Sequence, residues 1–315
     1  MAPAALRLLR QLGRQARWAL PAGVFVGIAI PPLAGLLRPL LTAAVIGTIT
    51  GALLRLDWGR LVAQARRPSL LVWLVLWQLL ASPLLVWFLC ALAGLRPDLG
   101  LVLVLQAAAP PIGSAAVFAM ILGLDGSLAL LGAVSATLLL PLSLTPLVGL
   151  LLPGAGIEVD LFAFFVRVSL IVAAPFLLAW LLRRWVGAAR LARNDELLAG
   201  ANVVLLVVFA IAVMDGVTAR LIRDPAFIGL LLLAACVAAV LLHLAGYLLF
   251  RRAGHSAAWS ASLLSGNRNM GLMLAVTAGT AGEAFSLYVG IAQIPMYFAP
   301  LALMPLVRRG MKGEG

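Results

Sequence analysis

The fold of this chain is decided by stretches such as Leu70–Leu80, which reads LLVWLVLWQLL. The stretch lacks the alternation of apolar and polar residues that marks a strand of a membrane β-barrel. It is typical of a helix that crosses a lipid bilayer, where about 20 apolar residues span the hydrocarbon core. Leu230–Leu242 is a second run of this kind. The sequence therefore predicts an all-α membrane protein.

The composition of the whole chain supports the same class. Of its 315 residues, 64% are hydrophobic and 11% are charged, whereas a soluble domain carries about 25% charged residues. So few charges cannot cover the surface of a water-soluble protein of this size, which excludes a soluble enzyme. The sequence also lacks zinc-protease, nucleotide-loop and nucleophile-elbow motifs. We expect no enzymatic activity and no cofactor, apart from Na⁺ as a possible coupling ion.

Apolar runs separated by short breaks predict ten transmembrane helices in a single unit, 1–315. The connections are short and no linker divides the chain, so neighbouring helices are expected to form hairpins. The predicted spans are 18–37, 39–56, 69–93, 97–122, 127–152, 159–182, 198–216, 225–250, 257–281 and 284–307.

The basic residues indicate how these helices are oriented. The formal net charge is +12, but the arginines lie in short clusters between apolar runs, as in cytoplasmic loops, and not in a nucleic-acid-binding patch. With ten spans, 17 of the 23 basic residues fall on the side that holds both termini. We expect a multi-pass protein of the inner (plasma) membrane, with cytoplasmic termini and no nucleic-acid partner. The 17 residues are Arg7, Arg10, Arg14, Arg17, Arg55, Arg60, Arg66, Arg67, Arg183, Arg184, Arg190, Arg193, Arg251, Arg252, Arg308, Arg309 and Lys312.

The two halves of the chain share a pattern of prolines. PLSLTPLV begins at Pro141 and PLALMPLV begins at Pro300, an offset of 159 residues. Because each half holds five spans, an odd number, a duplicated half must be inverted in the membrane. The sequence predicts one repeat over about 18–152 and a second over about 159–307.

Each half also interrupts a helix at a matching position. The same offset carries Pro110 and Pro111 onto Asn269 and Met270. Proline removes a backbone donor, and Gly266 tolerates a non-helical backbone. A single proline often only kinks a membrane helix, but two matching breaks favour a transporter whose discontinuous helices enclose a site near the bilayer midplane.

At these residues the chain resembles the bile acid:sodium symporter family, within the bile/arsenite/riboflavin transporter superfamily. The resemblance covers essentially the whole length, and its best segments are Pro110–Pro146 and Ser265–Leu274, which reads SGNRNMGLML. It implies a five-plus-five inverted repeat with crossed discontinuous helices 4 and 9. It also implies a panel of spans one, two, six and seven that moves against a core of the other spans, so that transport proceeds by alternating access.

Two departures from the family pattern concern sodium. The resemblance implies a Glu shortly before the Asn-x-Gly-Leu sequence, where this chain has Leu264 or Ser265. It also implies an Asn where this chain continues from Ser114 to Ala115. Hard cations take several oxygen ligands and favour a negative one. A sodium site without its carboxylate is therefore expected to be weak.

Arg268 is the central candidate for binding. An arginine inside a bilayer costs at least about 2.5 kcal/mol on insertion scales, and such residues usually serve function. Its guanidinium suits a carboxylate or a sulfonate, so we expect it to replace a coupling cation or to bind an anionic substrate. The alternative is that it bonds only the carbonyls freed by the break at Pro110. The other candidate ligands are Asn267, Asn269, Ser114, Ser135 and Thr137.

These observations predict a secondary transporter that moves a small organic anion by alternating access. The alternatives are an arsenite-type or proton-coupled antiporter, and a membrane sensor that binds its ligand without moving it. The expected partners are the small-molecule anion and the lipid bilayer.

Overall fold

The computed structural model describes residues 16–56, 68–151, 160–278 and 280–311. Within these ranges all regular structure is helical, apart from one isolated bridge between Pro111 and Arg268. Six helices are long and apolar enough to cross a membrane, as expected of an all-α membrane protein. The predicted basic residues Arg7, Arg10, Arg14, Arg60, Arg66, Arg67 and Lys312, and the predicted repeat ends at 152 and 159, lie outside the described residues.

Within each described range, the helices follow one another with short connections. The first eight are α1 (Ala16–Ala29), α2 (Pro31–Leu37), α3 (Leu41–Leu54), α4 (Pro68–Leu76), α5 (Ser82–Leu92), α6 (Pro97–Ala108), α7 (Gly113–Ile121) and α8 (Gly126–Leu151). The remaining eight are α9 (Leu161–Val186), α10 (Ala188–Arg193), α11 (Asp195–Ala212), α12 (Val217–Arg223), α13 (Pro225–Phe250), α14 (His255–Gly266), α15 (Met270–Thr277) and α16 (Gly282–Met311).

The first predicted span, 18–37, is interrupted in the structure. Helix α1 ends at Ala29, and Ile30 has φ −125° and ψ 71°, outside the helical region. The cause is Pro31, which disfavours helical geometry at the residue before it. Beyond this break, α2 continues through one 3₁₀ turn at Arg38–Leu40 into α3, so that Pro31–Leu54 forms one candidate span. The boundary predicted near residue 38 was therefore wrong.

The helices pack as two groups. The first group contains α1, α2, α3, α9, α10 and α11, and the second contains α4 to α8 and α13 to α16. Two ion pairs hold the first group at opposite ends of α11. Arg55 donates from Nε to Oδ1 of Asp195 at 2.6 Å, and Arg38 donates from Nη1 to Oδ2 of Asp215 at 2.8 Å. These pairs connect the α2–α3 segment to both ends of α11.

The groups meet chiefly where α8 packs on α9 and where α15 packs on α3 and α9. Helices α7 and α14 have a different environment: among the described residues, their main partners all belong to the second group. Of the interrupted helices, α15 therefore contacts the first group, whereas α7 and α14 contact chiefly their own group.

Asp160 determines where α9 begins. Its Oδ1 accepts hydrogen bonds from the backbone N–H groups of Phe162 and Ala163, both at 3.0 Å. These N–H groups have no partner within the helix, so a side-chain oxygen is needed to satisfy them.

We predict that Asp160→Ala lowers the free energy of unfolding by about 1 kcal/mol, because it leaves two helix-end donors without their acceptor. Asp160→Asn keeps an acceptor and should lose less. Thermal unfolding of the purified protein in detergent, followed by tryptophan fluorescence, measures both variants. Equal losses for Ala and Asn would show that the side-chain oxygen is not what stabilises this helix end.

Candidate functional site

Two interrupted helices cross inside the second group. Helix α6 stops at Ala108 and α7 begins at Gly113, while α14 stops at Gly266 and α15 begins at Met270. The extended residues between them pair in antiparallel fashion. The N–H of Ile112 donates to the carbonyl of Asn267 at 2.9 Å, and the N–H of Asn269 donates to the carbonyl of Pro110 at 2.7 Å. Each break thus satisfies backbone groups that the other break frees.

The sequence around each break explains why the helices stop. Pro111 has no N–H and pushes Pro110 out of helical geometry, and Ala109 before them is extended, with ψ 140°. In the other segment, Gly266 lies so close to the ring of His243 that a Cβ atom would overlap Nδ1. Only glycine fits that position. The Oδ1 of Asn269 then caps α15 by accepting from the N–H of Leu272 at 3.0 Å.

The guanidinium of Arg268 lies at the centre of the crossing and is 1% exposed. Its Nε donates to the carbonyl of Ser265 at 2.6 Å, and its Nη1 donates to the carbonyl of Ala109 at 2.9 Å. These carbonyls belong to the ends of α14 and α6, where helix dipoles place partial negative charge. A third carbonyl, of Gln78, lies 3.3 Å from Nη1, and the hydroxyl of Ser82 accepts from Nη2 at 2.9 Å.

No carboxylate among the described residues pairs with Arg268. The ion pairs of that part of the chain lie elsewhere, at helix ends, between Arg38 and Asp215, Arg55 and Asp195, Arg96 and Asp98, and Arg220 and Asp224. A buried charge needs compensation, and here backbone carbonyls and one hydroxyl provide it. The crossing therefore retains a net positive charge.

The helix that faces Arg268 contains a feature that the sequence analysis did not find. Between α4 and α5, residues Trp77–Ala81 form a π-helical turn, in which the N–H of Ser82 reaches the carbonyl of Trp77. Such turns are rare and often occur at functional sites. The indole of Trp77 also donates to the hydroxyl of Ser265 at 2.9 Å. The turn therefore brings one indole, one carbonyl and one hydroxyl against the crossing.

Gln78, in the same turn, has a fully buried side chain whose amide oxygen and nitrogen both lack a protein partner. A buried amide without a partner costs about 1–3 kcal/mol. The only signal for it in the sequence was a single polar residue within the apolar run LLVWLVLWQLL.

His243 of α13 supports the crossing from the other side. It is 5% exposed, and its Nδ1 lies 2.7 Å from the carbonyl of Ala239, so Nδ1 donates. Its Nε2 then accepts from the amide nitrogen of Asn267 at 3.1 Å. The same amide donates to the carbonyl of Leu263 at 2.8 Å. The side chain of Asn267 is therefore engaged in holding the unwound backbone.

The comparison with known families agrees with this geometry. The profile of the SBF-like CPA transporter family, which is bile acid:sodium symporter-like, matches residues 19–303. The chain belongs to this family. It is a membrane transporter of the SBF-like CPA family, and the bile acid:sodium symporter resemblance holds at the level of the superfamily. No curated protein matches the chain.

The structure of this SBF-like CPA transporter separates the predicted site residues into two sets. Six of them meet at the crossing: Arg268, Asn267, Asn269, Pro110, Pro111 and Gly266. The three hydroxyl residues lie outside the paired segments. Ser114 is exposed in the first turn of α7, and Ser135 is half-buried on α8. Thr137 is 7% exposed and its hydroxyl donates to the carbonyl of Ala133 in its own helix at 2.8 Å.

We predict that Ser82→Ala destabilises this SBF-like CPA transporter by about 1–3 kcal/mol, because it removes an acceptor of the buried Arg268 guanidinium. The matched control is Ser143→Ala. Ser143 is also buried, but its hydroxyl donates only to the carbonyl of Leu140 in its own helix, so its loss should be smaller. Thermal unfolding measures both variants, and a loss for Ser143→Ala as large as that for Ser82→Ala would contradict the prediction.

Proposed function

We propose that this protein is a secondary transporter that moves a small organic anion by alternating access, with the fixed guanidinium of Arg268 in the place of a coupling sodium ion. The single observation that carries the proposal is the set of bonds from Arg268 to the carbonyl ends of both interrupted helices, at 2.6 Å to Ser265 and 2.9 Å to Ala109. In a cation-coupled transporter, a bound cation would interact with carbonyls such as these. Here the chain supplies the cation itself.

The charge of the crossing supports an anionic cargo. Arg268 neutralises the carbonyl ends of α6 and α14, whereas the amino ends of α7 and α15 point their positive dipole ends toward the same crossing. Ser114, in the first turn of α7, is exposed. The amino end of α7 therefore lies at the protein surface, and a carboxylate or sulfonate is the kind of group that its N–H groups would attract.

The available oxygen ligands argue against sodium. Leu264, at one of the positions expected to be acidic, is fully buried and apolar. At the other position, the hydroxyl of Ser265 donates to the carbonyl of Ala261 at 2.7 Å and accepts from Trp77. A sodium ion at the crossing would have to replace the guanidinium while losing its own hydration, so we propose transport without sodium coupling.

The proposed architecture has ten spans, inverted repeats and cytoplasmic termini in the inner membrane. The offset that relates the proline pairs of the two halves is 159 residues, which makes Asn269 the counterpart of Pro110. The N–H of Asn269 bonds the carbonyl of Pro110. In two copies related by a two-fold axis, residues that lie next to the axis contact their own equivalents. The contact between these two residues therefore supports the inverted repeat.

Uptake by proteoliposomes tests the function. Three radiolabelled probes cover three sizes of organic acid: cholate, octanoate and pyruvate. We expect saturable uptake of at least one of them, at equal rates in sodium and in potassium buffer. Because a net negative charge moves, an inside-positive membrane potential should accelerate it. Uptake that requires sodium, or binding of a probe without flux, would overturn the proposal, and so would a lack of saturable uptake of all three probes.

We predict that Arg268→Gln lowers this uptake about tenfold or more at equal reconstituted amounts, because it removes the fixed charge and leaves carbonyls without donors. Arg268→Lys keeps the charge and should retain more activity. The matched control is Arg167→Gln, which removes a half-buried arginine from α9, far from the crossing in sequence. We expect this control to transport like the wild type. Uptake by Arg268→Gln at the wild-type rate would contradict a role for the charge.

A further inference from the structure

We propose that Gly271 and Gly290 form the contact that closes one side of the protein between the two helix groups. The proposal rests on the alternating-access function proposed above and adds the device that regulates access to the site. Gly271 lies in the first turn of α15 and Gly290 lies in α16. Both helices belong to the second group, and both glycines face residues at the carboxyl end of α11, in the first group.

Gly271 allows α15 to approach two helices of the first group at once. A Cβ atom at this position would lie 2.9 Å from the ring carbons Cε2 and Cζ of Phe209 and 3.2 Å from Cγ2 of Val45. Real Cβ atoms essentially never approach another heavy atom within 3.0 Å. The absence of a side chain therefore brings the amino end of α15, next to Arg268, against α3 and α11.

Gly290 makes the closer contact with backbone. A Cβ atom there would lie 2.8 Å from the carbonyl oxygen of Val213, 3.3 Å from Cγ2 of Val217 and 3.5 Å from Cε of Met214. A side chain can rotate away from an added methyl group, but the carbonyl oxygen cannot move unless its helix moves. Even alanine at 290 therefore pushes α16 away from the end of α11.

The opposite side of the crossing is not closed in this way. Among the described residues, α7 and α14 pack chiefly within the second group, and Ser114 at the start of α7 is exposed. In α15, by contrast, only Leu274 is more than marginally exposed between Met270 and Thr277. Helix α14 is as buried as α15, but its main partners lie within the second group. The two halves of the crossing thus differ in their contact with the first group, as expected of one end state of an alternating-access cycle.

The chemistry of the contact suits a gate. The groups that meet at Gly271 and Gly290 are apolar side chains and one carbonyl. The ion pairs Arg55–Asp195 and Arg38–Asp215 lie within the first group, where they connect the α2–α3 segment to α11. The two groups can therefore part at the glycines without breaking either of these ion pairs. In the orientation proposed above, the closed side is the one away from the cytoplasm.

Thiol labelling of a buried position beside the gate tests the proposal. Val217, the first residue of α12 shortly after the end of α11, is 4% exposed and faces Gly290. Val217→Cys therefore reports separation of α16 from this segment once Cys90 and Cys236 are changed to alanine. In nanodiscs, a charged maleimide reaches position 217 only when the gate opens. We expect Gly271→Ala and Gly290→Ala each to raise the labelling rate about tenfold, since overpacking disfavours the closed state.

Two glycine variants serve as controls. Gly132→Ala creates a clash comparable to that at Gly271, 2.9 Å from Cδ2 of Leu74 and 3.2 Å from Cδ2 of Leu264, but inside the second group. Gly229→Ala adds a methyl group with no neighbour within 4 Å. Neither should change the labelling rate by more than about twofold.

The outcomes separate this inference from the proposed cargo. Labelling does not depend on which solute is carried, so faster labelling of both gate variants supports the gate even if none of the three acids is taken up. Unchanged labelling, or an equal rise in Gly132→Ala, overturns it even if uptake succeeds. If Gly290→Ala does not yield folded protein, Gly271→Ala decides alone, because its neighbours are side-chain atoms that can yield.

Discussion

The backbone groups that two interrupted helices expose in an apolar surrounding are the constraint on which this structure depends. Each unpaired amide or carbonyl costs several kcal/mol in lipid, which is several times what a typical stabilising contact contributes. Pro110 and Pro111 supply carbonyls but no N–H groups, so the crossing has more acceptors than backbone donors. The N–H groups of Ile112 and Asn269 serve two of the acceptors, and the guanidinium of Arg268 serves the others within its reach.

This shortage of donors explains why a positive charge lies at the centre of a membrane-embedded site. A neutral side chain such as glutamine has two donors, whereas arginine has five in a rigid fork. Four contacts of Arg268 reach three helix segments, through Ser265, Ala109, Gln78 and Ser82. In the proposed mechanism the same charge that stabilises the crossing attracts the anion. Because this cation is covalently attached, its binding and release cannot drive transport, and the proposed mechanism takes its driving force from the cargo gradient and the membrane potential.

Much of this arrangement could be predicted from the sequence because lipid imposes simple rules. Continuous apolar runs predicted the all-helical class, and residues that stop helices indicated where the two interruptions fall. Both roles considered for Arg268, the functional one and the bonding of carbonyls freed by the break at Pro110, could also be inferred from the sequence, because a buried arginine must find acceptors. The π-helical turn at Trp77–Ala81 could not be predicted, because no periodicity encodes it. The contact of Ser82 with Arg268 joins residues 186 positions apart.

Other residues show the same limit. Thr137 was predicted as a ligand from its position in the family pattern, but its hydroxyl donates within its own helix, a choice open to any Ser or Thr in a membrane helix. His243 appeared in the sequence only as a lone histidine, and its bond to Asn267 depends on how α13 packs beside α14. Burial and tertiary packing decide such contacts, and hydropathy does not report them.

The proposed repeat gives a reason for the different chemistry of its two crossing segments. If both halves carried Pro-Pro at the break, the carbonyl of Pro110 would lose the N–H that now bonds it, because proline has none. The pairing of Pro110 with Asn269 instead joins a residue without an N–H to one that has it. Two inverted copies that meet at equivalent residues must therefore diverge at that point. With Asn-Arg-Asn in one copy, Arg268 gives the site its positive charge, because its guanidinium donates to the backbone carbonyl of Ala109 in the other copy.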